Sequence, residues 1–159
     1  MEAKDYIQRM NELSTKKLAL IEEILLFTRS QNEVITAGRF EEMDSLIGEK
    51  QSRMDAIDKL DEQFVVYSTR LKSVASLNSF ENLPQQNLPG TVQLKDLVVK
   101  IQKSLSVIKT LEEENTALVK NELKDTKDKM DHSSAFKRVT GAYYPVKNDI
   151  PSYYFDKKK

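Results

Sequence analysis

The sequence predicts an all-α fold: an antiparallel bundle of three long amphipathic helices with an irregular aromatic C-terminal tail. Three observations predict it. Apolar residues recur at alternating steps of three and four over long stretches of the 159 residues. Glycine and proline number only four each. Charged residues make up 31% of the chain against 39% hydrophobic, a balance that suits extended charged helices better than a sheet-rich globule.

The first helix is expected over residues 2–37. Ala3, Tyr6, Met10, Leu13, Lys17, Leu20, Ile24, Phe27, Gln31 and Val34 form an unbroken three-four alternation, interrupted in polarity only at Lys17 and Gln31. Ile7, Leu18, Ile21, Leu25 and Ile35 widen the stripe beyond what a two-stranded zipper needs, which points to a bundle. Gly38 stands where a helix closes with a left-handed cap, so this helix is expected to stop near Ala37.

The second helix is expected over 40–76. Phe40, Met43, Ile47, Lys50, Met54 and Ile57 hold one heptad register; Ile57, Leu60, Phe64, Tyr67, Leu71 and Val74 hold another. Their junction at Met54, Ile57 and Leu60 takes successive steps of three, a stammer that overwinds a helix. Gly48 lies inside the helix, at about 1 kcal/mol relative to alanine. So short a connection makes the first two helices an antiparallel hairpin.

From Leu77 to Gly90 the period fails among Asn78, Asn82, Pro84, Asn87, Pro89 and Gly90, which predicts a loop over 77–91. Thr91 is a candidate N-cap for a third helix over 92–130, striped by Leu94, Leu97, Val98, Ile101, Leu105, Ile108, Leu111, Leu118 and Val119. After Val119 the stripe thins to Leu123 and Met130, and Glu122, Asp125 and Asp128 interleave with lysines. That end reads as a solvated helix supported by near-neighbour charge pairs. At ~1.5 Å per residue each helix is a rod of roughly 50–60 Å, and the polar end of the third is expected to project beyond the core.

The bundle is expected to occupy residues 1–132 and the tail 133–159. Half of the aromatic residues fall in that tail: Phe136, Tyr143, Tyr144, Tyr153, Tyr154 and Phe155. Pro145 and Pro151 bar one long helix there, so the rings must dock on the chain's own helices or on a partner. Six Lys/Arg against two Asp give the tail a charge of +4 and leave the remainder at −4.

Composition excludes several function classes. The net charge is zero, so the chain as a whole has no field to draw nucleic acid. There is no cysteine, hence no thiolate chemistry. Glu2, Asp5 and Glu12 break up the first twenty residues, which do not read as a signal peptide. Apolar runs such as Ile24–Phe27 and Leu97–Val99 are far short of a membrane span, so a cytoplasmic protein with no membrane insertion is expected. The single histidine, His132, has no neighbouring glutamate or second histidine at metal-ligand spacing, and no glycine-rich phosphate loop exists. Carboxylate runs such as Glu41-Glu42 and Glu112-Glu113-Glu114 read as solvated faces. Neither an enzyme nor a cofactor is expected. Lys157, Lys158 and Lys159 supply only a weak, salt-sensitive attraction.

The run from Ala37 to Gln51, with its turn followed by Leu46, Glu49, Lys50 and Gln51, resembles the FlgN class of flagellar export chaperones. The ending Phe155-Asp156-Lys157-Lys158 is similar to that of several relatives. The resemblance implies a cytoplasmic chaperone that binds the C-terminal helical ends of hook–filament junction proteins, keeps them unpolymerised and escorts them to the export gate. It further implies client binding in the C-terminal part, where Leu111, Leu118, Val119 and Leu123 are the candidate residues. Docking to the cytoplasmic domain of the export gate would then fall to one of Tyr143, Tyr144, Tyr153 and Tyr154. Two alternatives stay open: a chaperone of the filament-cap protein, and a passive structural or adaptor coiled coil.

Overall fold

A computed structural model describes residues 1–76 and 88–126. Three helices pack against one another: α1 (Ala3–Ala37), α2 (Met43–Val74), preceded by a single 3-10 turn (Phe40–Glu42), and α3 (Thr91–Thr126). Among the described residues there is no strand. Residues 77–87 of the expected loop, 127–130 of the expected third helix, His132 and the tail all lie outside the described residues.

Local chemistry sets the ends. The Asp5 carboxylate accepts a hydrogen bond from the Glu2 backbone N–H at 2.7 Å, half of a capping box, and Glu2 opens α1. At the other end Gly38 takes φ +73°. The Arg39 N–H donates to Val34 O at 3.0 Å and the Gly38 N–H to Ile35 O at 3.1 Å, the paired bonds of a Schellman cap. The chain then reverses through the 3-10 turn, where Arg39 and Glu42 pair at 2.9 Å. α3 begins differently from the sequence expectation. Pro89 and Gly90, the latter at φ +85°, form the centre of a type II turn closed by the Thr91 N–H on Leu88 O. The Leu94 N–H donates to Gly90 O, so Gly90 is the N-cap, while the Thr91 hydroxyl donates backward to Leu88 O at 2.8 Å.

The packed residues form two compact units. One comprises Met1–Ile21 and Asp55–Lys103. Its core is Ile7, Met10, Leu71 and Leu94, flanked by Tyr6, Phe64, Tyr67 and Leu88. Tyr6 and Tyr67 stack tilted at 6.2 Å. Asn11 donates to Gly90 O at 3.1 Å, which ties α1 to the start of α3. Lys17 and Asp61 pair at 2.7 Å between α1 and α2.

The other unit comprises Glu22–Met54 and the chain from Ser104 on. Val34, Ile35, Met43 and Val119 form its core, flanked by Phe40, Leu46, Ile47 and Leu118. The Arg53 guanidinium lies 5.1 Å from the centre of the Phe27 ring and 3.5 Å from the Glu23 carboxylate. Within each unit α2 runs antiparallel to α1 and to α3.

The buried register of α2 corrects the expected stammer. Met43, Lys50, Met54, Ile57, Asp61, Ser68 and Leu71 are buried, with Ile47 and Phe64 half-buried between them. Steps of three and four therefore continue unbroken from Met43 to Leu71. Asp61 takes the deep position expected of Leu60, and Leu60 is half-buried at its side.

Candidate functional site

The candidate residues of α3 divide sharply. Leu111, Leu118 and Leu123 are half-buried. Val119 is 0% exposed, enclosed with Val34, Ile35 and Met43. Its side chain offers no surface in this arrangement. The reason is register: the α3 seam runs through Leu94, Leu97, Ile101, Leu105 and Ile108 to Asn115 and Val119, all buried. Leu111 and Leu118 flank that seam. Tyr143, Tyr144, Tyr153 and Tyr154 lie outside the described residues.

Between Ile108 and Val119 the seam turns polar. Glu112 ion-pairs with Lys50, whose ammonium also donates to Gln31 Oε1 at 2.8 Å. One turn on, Asn32 Nδ2 donates to Asn115 Oδ1 at 2.9 Å, and Asn115 Nδ2 donates to the Thr28 carbonyl at 3.2 Å. The Thr28 hydroxyl is satisfied within its own helix by Ile24 O at 2.7 Å. The three helices thus meet in a closed polar layer in which each group has a partner, the condition for burying such groups without a large penalty. Beyond it α3 contributes Val119 and Leu118 to the apolar cluster of its unit, and Lys120, Asn121, Lys124 and Asp125 are exposed.

Sequence reasoning missed this layer. Glu112 read as one of three solvated carboxylates, yet only Glu113 and Glu114 are exposed. The available signal was arithmetic: continuing Leu105 and Ile108 by steps of four and three lands on Glu112 and Asn115. Lys17, Gln31 and Lys50, the polar interruptions of the first two stripes, find their partners in Asp61, Lys50 and Glu112 respectively.

No group of three or more His, Cys, Asp or Glu able to hold a metal exists among the described residues, and none of the described helices is long and apolar enough to cross a membrane. The geometry is that of a helical protein whose α3 carries a polar seam against α1 and α2. A family model described as FlgN protein matches residues 1–135, and the chain belongs to the FlgN family. It is therefore a flagellar export chaperone, of a family whose members are chaperones rather than enzymes. No curated protein and no solved structure matches the chain.

Proposed function

We propose that this chaperone binds the C-terminal helical ends of hook–filament junction proteins in the cytoplasm, prevents their premature assembly and delivers them to the type III export gate. The match to the FlgN family over residues 1–135 carries the reading. Client binding falls to the distal part of α3, the stretch that carries Leu111, Leu118, Val119 and Leu123. Two features support that assignment. The apolar seam there is interrupted by Glu112 and Asn115, and the half-buried Leu118 and Leu123 leave an edge on which an amphipathic partner helix can bury its stripe. Docking to the cytoplasmic domain of the export gate is assigned to Tyr143, Tyr144, Tyr153 and Tyr154, because tyrosine rings bury area at low entropic cost while their hydroxyls stay paired.

The test is calorimetry and light scattering of the purified chain with purified junction proteins, the filament-cap protein and the gate domain. A one-to-one complex with a junction protein is expected, and no comparable complex with the cap protein. Preference for the cap protein would move the chain to that client class. Stable self-association without any client would make it a structural coiled coil.

A further inference from the structure

Val119 poses a problem for any client that lies simply on top of the bundle. The apolar seat made by Val34, Ile35 and Met43 is buried, and Val119 of the chain's own α3 already fills it. We propose, resting on the chaperone reading, that the distal part of α3 is an exchangeable strap, and that an incoming amphipathic helix takes its seat and is read by Lys50.

The strap is weakly held where exchange must begin. From Ile108 to Val119 the seam presents Glu112 and Asn115 in place of two apolar side chains, so the usual hydrophobic gain of a bundle seam is missing over that stretch. Past Val119 the helix is mostly solvated. Few buried apolar contacts beside a well-packed neighbour are the conditions for local opening below the global unfolding barrier. Once α3 lifts, Val34, Ile35, Met43 and the half-buried Ile47 become a groove along the α1–α2 hairpin, already shaped for a helix running parallel to α1.

Lys50 supplies selectivity. Its side chain is 11% exposed and its ammonium is held by Gln31 and by the Glu112 carboxylate. When Glu112 leaves, a buried cation loses its counter-ion, and only an occupant that brings an acidic residue to the same level restores it. The occupant fitting this seat has an acid, an amide three residues later and a Val or Leu four residues after that, the spacing of Glu112, Asn115 and Val119. A helix with lysine at the first position is rejected by charge.

The probe is a labelled synthetic peptide copying Ile108–Thr126, titrated into the full chain. The resident helix competes at an effective concentration on the order of mM, so the chain carries Val119→Ala to weaken its own strap while leaving the seat intact. Should that variant lose its helical circular dichroism, Leu118→Ala serves instead. A second preparation adds Asn32→Cys and Glu114→Cys and is measured before and after joining by a short bismaleimide, so that loss of the Asn32–Asn115 hydrogen bond is common to the linked and unlinked chains. These two side chains touch at 3.4 Å, and no native cysteine competes for the reagent. Binding to the unlinked chain is expected, with a loss of about tenfold or more on linking and a similar loss for the peptide carrying Glu112→Lys. Equal binding to linked and unlinked chains, or no binding up to about mM peptide, overturns the exchange. Junction-protein binding measured separately on the unmodified chain tells that failure apart from failure of the chaperone reading.

Discussion

Lys17 on α1 and Asp61 on α2 meet at 2.7 Å with side chains only 12% and 9% exposed, so an ion pair stands in the seam where two apolar residues would otherwise touch. Such a pair adds little net stability, because desolvating both charges offsets much of their attraction. What it does add is register. A slip of α2 by one turn would leave both charges buried and apart, and that alternative is excluded far more strongly than the native pairing is favoured.

A double-mutant cycle checks this. Asp61→Ala alone is expected to destabilise by about 3–5 kcal/mol in chemical denaturation, since the buried Lys17 ammonium loses the carboxylate it meets at 2.7 Å. Lys17→Met with Asp61→Leu is expected to fall within about 1 kcal/mol of the parent or to exceed it. A double variant as unstable as the single one would mean that the pair itself supplies stability.

Glycine substitutions should split in sign. Gly48 lies inside α2, and a Cβ there meets nothing within 4 Å, so Gly48→Ala is expected to stabilise by roughly 0.5–1 kcal/mol. At Gly90 the φ is +85°, and a Cβ would come within 2.9 Å of Asn11 Nδ2 and 3.1 Å of Ile7 Cγ2. Gly90→Ala is expected to cost at least about 1–2 kcal/mol from the left-handed conformation alone. Thermal melts that move in the same direction for both would contradict the turn described here.

Val119 and Leu123 should separate folding from client binding. Val119→Asp places an unpaired carboxylate among Val34, Ile35 and Met43, and a marked drop in melting temperature is expected. Leu123→Asp sits past that cluster at a half-buried position. It is expected to leave the melt nearly unchanged while weakening junction-protein binding by about tenfold, a loss near 1.4 kcal/mol. Unchanged affinity in the Leu123 variant would place the client surface elsewhere.

The tail makes a separate prediction. Deleting residues 133–159 is expected to preserve helical content and melting temperature, because the cores described above are built from residues before Thr126. Affinity for the cytoplasmic gate domain is expected to fall, with single Tyr→Ala changes at 143, 144, 153 and 154 locating the dominant ring. Unfolding or aggregation of the truncated chain, with gate affinity retained, would make the tail a cover for its own bundle.

The helices and their ends were legible because they depend on local chemistry. Gly38 closes α1 where its spacing against the stripe predicted, since only a residue free of a Cβ penalty takes φ +73° comfortably. The hairpin followed from the shortness of the link. Thr91 misled because a threonine before a helix is a common cap, whereas here the Pro89–Gly90 turn had already fixed the backbone entry. Of the candidate residues on α3, the sequence did not show that Val119 lies deepest, because a stripe does not tell its centre from its flank.

Pattern alone determined that three amphipathic helices exist, that the first stops at Gly38, and which broad stripe each one buries. It did so because the helical period is a property of one chain segment and its neighbours along the sequence. Only the packing decided which residues sit deepest. Asp61, Lys50, Glu112 and Asn115 take central positions because each has its partner on another helix. A polar residue at a seam position reads as a defect until that partner is known. The cost of burying a charge depends on what stands opposite it, and that pairing is fixed by tertiary structure.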